Sequence, residues 1–258
     1  MKLSRTRLDT RVAIFRLIVT LAAIALPSMP WTDRSASAAV PILETTTPTV
    51  GTSGSSAVVA DRSVFDAAAW DPAAIGSVDR EVFELALHAA AAAIERGDAT
   101  DPATLTVIDF SKTSPTERMW VYDLRSRELL FQEVVSHGRG SGVAVAKSFS
   151  NTHSSHQSSI GLYRTAETYV GKHGYSLRLD GLDKGYNDNA RARAIVMHAA
   201  DYVNPAAART NGYLGRSLGC PAVRPAISRQ LIDTIKEGSL LFAYYPDEAW
   251  LSNSPYLN

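Results

Sequence analysis

The 258-residue sequence has a single cysteine, Cys220, so no intramolecular disulfide can form. It has no excess of either charge: Lys plus Arg and Asp plus Glu both number 26. That balance provides no global basic field to draw in nucleic acid or anionic lipid, and no nucleic-acid partner is expected. It lacks a CxxC pair and an HExxH run, the commonest local signatures of a zinc site. It lacks a fixed-period repeat, and its strand-like segments do not alternate regularly with helices, which argues against a doubly wound parallel sheet. The apolar run Leu17–Leu26 is shorter than the ~20 residues needed to span a bilayer.

That run is nonetheless informative in context. Lys2, Arg5, Arg7 and Arg11 precede it against the single acid Asp9, and Ala36-Ser37-Ala38 follows as a small-x-small cleavage site. The order reads as a secretory signal over 1–38, removed on export and leaving no stable membrane span. No adjacent arginine pair suggests the twin-arginine route. Residues 39–62 hold a stretch rich in Thr, Ser, Gly and Pro, a flexible linker by composition. Residues 63–103 form an N-terminal helical segment. Within it, Val82, Phe83, Leu85, Ala86, Ala89, Ala90, Ala93 and Ile94 recur at helical spacing, and Gly97-Asp98 ends the run.

From residue 104 to 258 the pattern turns to strands. Leu105–Phe110, Met119–Leu124, Leu129–Ser136, Ile160–Tyr163, Ser176–Leu179, Ala194–His198 and Leu240–Tyr245 are short apolar or alternating segments, and Ala226–Lys236 is helical. The expectation is a mainly β, mostly antiparallel domain with a few helices. Gly and small polar residues concentrate in Ser136–Gly142, Ser148–Ser159, Tyr169–Gly174 and Gly212–Gly219, read as loops that carry the site.

A lone thiol in an exported chain calls for a reason. Gly212, Gly215 and Gly219 fall within eight residues just ahead of Cys220, and Pro221 follows it. Glycines permit unusual backbone angles, and successive N–H groups at Gly219 and Cys220 can converge on an oxyanion. A thiol nucleophile needs a base, and His198 at the end of the apolar run Ala194–Met197 is the best placed imidazole. His153 and His156 read as solvated loop residues and His88 as a helix residue. Gly138–Gly142 lacks the Lys-Ser/Thr ending of a phosphate loop and reads as the lining of a cleft.

Ser217-Leu218-Gly219-Cys220, with His198 upstream, resembles the L,D-transpeptidase catalytic domain (YkuD-like) family, most closely its Cys-Pro-Ala branch. Further segments carry the likeness: His137–Gly142, Phe149-Ser150-Asn151, Gly171–Leu177, Asn187-Asp188 with Arg191 and Arg193, and Gly215–Val223. The resemblance implies a β-sandwich-like catalytic domain, an exported protein of the periplasm or cell envelope, and peptidoglycan stem peptides as partners. It implies two-step acyl transfer without cofactor or metal. Cys220 is the implied nucleophile and His198 the implied base. Ala199 orients the imidazole through its carbonyl, Gly219 helps hold the oxyanion and Ser217 supports the cysteine loop. Substrate contacts are implied at His137, Gly138, Asn151, Tyr163 and His173. Pro221-Ala222 replaces the family's usual apolar-Arg pair, so the stem carboxylate falls to Arg191, Arg216 or Arg224, among which sequence does not choose. An L,D-carboxypeptidase, a cell-wall-binding module without catalysis, and a zinc hydrolase using the spare histidines are the competing readings.

Overall fold

A computed structural model describes residues 62–258; the expected signal, and the linker up to residue 61, lie outside the described residues. Two short 3-10 turns (Arg62–Phe65 and Ala67–Ala69) lead into α1 (Pro72–Ile75) and α2 (Arg80–Glu95). Asp79 caps α2 by accepting from the N–H groups of Glu81 and Val82. One face of α2, from Val82 and Phe83 through Ala93, is buried. The N–H of Asp98 returns to the carbonyl of Ala93, closing the helix where Gly97 turns the chain.

The strands follow: β1 (Thr104–Asp109), β2 (Met119–Asp123), β3 (Glu128–Glu133), β4 (Gly161–Gly171), β5 (Gly174–Gly181) and β6 (Val196–Ala199). Then come α3 (Pro205–Asn211), β7 (Ala222–Val223), α4 (Pro225–Ile235), β8 (Leu240–Tyr244) and α5 (Glu248–Asn253). The strands form one sheet in the order β3-β2-β1-β8-β4-β5-β6-β7. β1 with β8 and β6 with β7 are parallel; the other neighbours are antiparallel. The fold is mainly β with a few helices, as its sequence pattern implies.

Each face of the sheet has its own core. On one, α2 packs with Leu105, Val107, Trp120, Tyr122, Phe242 and Trp250. On the other, Leu231, Ile232 and Ile235 of α4 meet Ile108, Val121, Leu177, Met197, Val223 and Leu241. Strands as distant in the sheet order as β2 and β7 share this second core, so the sheet curls around it. The curl brings its two edges together: just past β3, the N–H of Ser136 donates to the carbonyl of Ala222 in β7 at 2.9 Å. Among the described residues no helix is long and apolar enough to cross a membrane.

Three differences from the sequence reading matter for the site. β4 runs well beyond Tyr163 to Gly171, because Thr165, Thr168, Tyr169 and Val170 favour extended backbone. The stretch Tyr169–Gly174, read as a long loop, is therefore a tight hairpin in which Gly171 pairs Gly174 around the turn Lys172-His173. β7 is only two residues long, too short to register as a pattern. α3 carries a start signal that the strand pattern around it obscured: the Asn204 side chain caps it and Pro205 opens it.

Candidate active site

The parallel pairing of β6 with β7 sets the geometry. His198 lies opposite Ala222, which puts Cys220, two residues earlier, against Val196, two residues before His198. The backbone N–H of Val196 accordingly donates to the Cys220 sulfur at 3.5 Å, and the thiol turns toward the carbonyl of Ala194 at 3.7 Å. In the resting structure the thiol thus hydrogen-bonds to the strand backbone rather than to the imidazole.

The His198 ring is held from two directions. Its Nδ1 lies 2.8 Å from the carbonyl of Ala199, and because a carbonyl only accepts, Nδ1 carries the proton. Nε2 is then the basic nitrogen. The ring of His173, from the β4–β5 turn, stacks on that of His198 with centroids 4.3 Å apart and planes 24° from parallel. Burial holds His198 below the usual imidazole range; the Ala199 carbonyl opposes this, and His173 and Lys172 add to it. Burial pushes the Cys220 thiol up, opposed by the Val196 N–H, the Arg193 cation, its own backbone N–H and Lys172. Both shifts favour the uncharged forms, so the resting pair is a neutral thiol and a neutral imidazole.

The loop ahead of Cys220 is fixed by a serine. Ser217 Oγ donates to the carbonyl of Cys220 at 2.6 Å and accepts from the Gly219 N–H at 3.0 Å. Gly219 sits at φ +128°, and a Cβ there would lie 2.8 Å from the carbonyl oxygen of Gln157 and 3.0 Å from Ile195 Cδ1. Ser158 stitches the neighbouring loop on, accepting from the Gly138 N–H and donating to the Gly219 carbonyl. The Gly219 N–H, expected to face an oxyanion, is therefore committed to Ser217.

Several residues expected to meet substrate are turned to other work. His137 is fully buried. Its Nδ1 accepts from the Arg118 guanidinium at 2.8 Å and its Nε2 faces the carbonyl of Gly142. Burial, with Arg118 adding to it, pushes its pKa down to about 4. Gly138 is buried with its N–H on Ser158. Tyr163 is in the α4-side core, its hydroxyl donating to the Ser159 carbonyl. Asn151 is half-buried and ties two loops together, donating to Asp188 and accepting from the Asn189 N–H. Arg191 is clamped between Asp180 and Glu167, and Arg224 forms a two-pronged pair with Glu133. Neither has its fork free for a ligand.

Arg216 differs. Among the described residues its guanidinium bonds only the carbonyl of Gly142, at 3.0 Å, and lies 5.5 Å from the centre of the Tyr213 ring. Among the described residues no carboxylate pairs with it. The exposed side chains of Leu218 and Tyr202 flank the cysteine loop, Tyr202 through the bond from the Gly215 N–H to its carbonyl.

Arg193 is the residue the sequence reading passed over as a site member. It donates to the carbonyls of Ser150 and Gln157 and to the hydroxyls of Ser155 and Ser159. A Cβ on Gly219 would lie 3.5 Å from its Nη2. Among the described residues all of its hydrogen-bond partners are neutral, so none of them cancels the charge that acts on Cys220. The available signal was a cation, the second of the pair Arg191 and Arg193, directly ahead of the apolar run that ends in His198. Among the described residues no cluster of three or more His, Cys, Asp or Glu side chains is arranged to hold a metal ion.

A family model describing the L,D-transpeptidase catalytic domain matches residues 75–244. No curated protein matches the chain. Among solved structures, an L,D-transpeptidase from Mycobacterium smegmatis is 15% identical with a TM-score of 0.34, the match covering 55% of this chain and 59% of that one. L,D-transpeptidase 1 of Mycobacterium tuberculosis is 13% identical with a TM-score of 0.31, covering 55% and 61%. An L,D-transpeptidase from Stackebrandtia nassauensis is 13% identical with a TM-score of 0.34, covering 63% and 67%. The chain thus spans about three fifths of the length of the two mycobacterial structures.

Proposed function

The chain belongs to the L,D-transpeptidase catalytic-domain family, and from that premise we propose that it is an exported peptidoglycan L,D-transpeptidase of the periplasm or cell envelope, with Cys220 as nucleophile and His198 as base. The observation that carries the reading is the β6–β7 register. It sets the thiol against the strand that ends in a buried imidazole whose Nδ1 is anchored and whose Nε2 is basic.

The chemistry runs in two steps. On substrate binding the thiol turns from the Ala194 carbonyl toward His198 and gives its proton to Nε2. The sulfur attacks the carbonyl carbon of the third residue of a tetrapeptide stem. Negative charge moves onto that oxygen, where the Cys220 N–H and the field of Arg193 stabilise it. The tetrahedral intermediate collapses, the C–N bond to the terminal D-alanine breaks, and the imidazolium protonates the departing amine. A thioester remains on Cys220. The side-chain amine of a second stem then attacks, losing a proton to Nε2, and the thiolate leaves and is reprotonated, giving a 3-3 cross-link. No redox partner or metal is needed for atoms and charge to balance.

Arg216 is the stem-carboxylate anchor in this reading. It is the one of the three arginines considered whose fork is not taken by a carboxylate. The lowered pKa of His198 keeps it unprotonated at rest and suits the second half of its work, because its imidazolium is a stronger acid toward the leaving amine.

The test is to incubate the chain from Ala39 with a purified disaccharide-tetrapeptide, with Cys220→Ala in parallel. A thioester adduct on the unmodified protein alone, released D-alanine and dimeric muropeptides support the transpeptidase. Tripeptide without dimer makes it a carboxypeptidase. No adduct and no product, with Cys220 also inert to thiol-reactive probes, overturns the assignment.

A further inference from the structure

We propose that His173, at the tip of the β4–β5 hairpin, is a positioning residue for the reaction: its ring, stacked on His198, fixes the plane of the base and shields one of its faces. The proposal rests on His198 being the base.

The geometry is specific. A stack at 4.3 Å and 24° covers a face of the imidazole and not its edge, where Nε2 lies. Nδ1 is already held by the Ala199 carbonyl, but one hydrogen bond leaves the ring free to twist about that axis. The stacked ring removes that freedom. The hairpin is built for the approach: Lys172-His173 is a two-residue turn closed by the Gly171–Gly174 pair, and β5 pairs Ser176 directly with His198. Beside the tip the Tyr175 hydroxyl ties the hairpin to Asp233 of α4, but the turn itself is open. Val170 beside it is 81% exposed, and His173 itself is exposed, so apolar burial does not explain the arrangement.

The stack has an electrostatic consequence. The charged or titratable groups bearing on the site are Lys172 and His173 from the hairpin, Arg193 and Cys220 from the elements against β6, and Tyr202 beyond the cysteine. His173 and Lys172 both press His198 toward its neutral form. Burial, with the hairpin adding to it, therefore favours the unprotonated base.

Two substitutions separate shape from charge. His173→Phe keeps a flat ring over His198 and removes the ionisable group; His173→Ala removes both. The readouts are thioester formation by intact mass across pH, and titration of the His198 ring followed by nuclear magnetic resonance. His173→Ala is expected to lower the acylation rate at pH 7 roughly tenfold, a fraction of the 10²–10⁴ a positioned base contributes. His173→Phe is expected to restore most of that rate. The acid limb and the His198 titration should shift upward in the order wild type, His173→Phe, His173→Ala, because the first change removes a like charge and the second also admits water. An Ala variant with unchanged acylation rate and unchanged His198 titration overturns the proposal. So does a Phe variant no better than Ala in rate. His198→Ala runs alongside: if it acylates as well as wild type, the assignment of the base has failed, and that outcome is distinct from failure of the stack.

Discussion

Gly219→Ala isolates the tightest point of the cysteine loop. The backbone there is at φ +128°, a conformation that costs an L side chain roughly 1–3 kcal/mol. The new methyl would also sit 2.8 Å from the Gln157 carbonyl oxygen and 3.0 Å from Ile195 Cδ1. The oxygen cannot retreat cheaply, because it accepts from Arg193 at 2.7 Å and the next residue, Ser158, binds both Gly138 and Gly219. The total cost is therefore expected near 3–4 kcal/mol, the upper part of what single substitutions do. Gly212→Ala is the control. Its φ is +78°, but nothing lies within 4 Å of the new atom, so it should lose only about 1 kcal/mol, the cost of a left-handed residue. At about 2–4 °C per kcal/mol for a domain of this size, the two variants should melt about 4–12 °C apart. Acylation should fall at least 10²-fold in Gly219→Ala, the loss expected for misplaced reacting groups, and stay near wild type in Gly212→Ala. Equal melting temperatures for the two variants, with normal thioester formation by Gly219→Ala, would refute the reasoning.

Ser217→Ala leaves the buried Gly219 N–H and the Cys220 carbonyl without their partner, which should cost about 1–3 kcal/mol by urea titration; Ser217→Thr should recover most of it. Arg216→Gln should raise KM for a stem with a free carboxylate about tenfold or more while leaving kcat within a few-fold, whereas Arg191→Gln should leave KM unchanged because its fork already holds Asp180 and Glu167; steady-state kinetics decides. His137 gives a stability profile. Its folded pKa, about 4, lies below the unfolded imidazole value of about 6.5, so its contribution is fully present above pH 6.5 and is lost as pH falls toward 4. The loss should approach about 3 kcal/mol, at 1.36 kcal/mol per unit. His137→Asn, which still offers an acceptor to Arg118, should flatten that window in urea titrations against pH, and an unchanged slope would count against a neutral buried ring.

The fold was legible where periodicity was long. Helix α2 and the strands β1, β2 and β8 fall within a residue or two of their apolar patterns, because each packs a face against one of the two cores. What the sequence withheld was set by pairing. β7 exists only because β6 and Ser136 lie on either side of it, and two residues carry no period. The thiol and the imidazole stood out as residue types, but their relation depends on a parallel register that no local pattern encodes. The arginines show the limit most clearly. Arg191, Arg216 and Arg224 are equivalent in a sequence, and only the positions of Asp180, Glu167 and Glu133 tell which fork is occupied. His137 failed for the opposite reason: a histidine beside a glycine-rich loop looks like a cleft residue, yet Arg118 draws it into the interior.

Arg191 and Arg193 make the physical point of the site. They are two residues apart, and each guanidinium is held by several acceptors. The acceptors of Arg191 are carboxylates, so its field is cancelled locally and it serves to fasten β4 and β5 to the loop. Those of Arg193 are carbonyls and hydroxyls, which fix the fork without cancelling its charge. A charge so held does not have to reorganise when a neighbouring group becomes negative. Burial keeps the Cys220 thiol protonated at rest, and of the two cations that oppose that burial Arg193 acts more strongly than Lys172. In the proposed reaction the same field acts on the sulfur as it loses its proton and on a substrate oxygen as it gains charge. Burial still leaves the resting pair neutral, and in the proposed reaction the Arg193 field lowers the cost of charging the sulfur, a contribution made as charge develops rather than on binding a substrate.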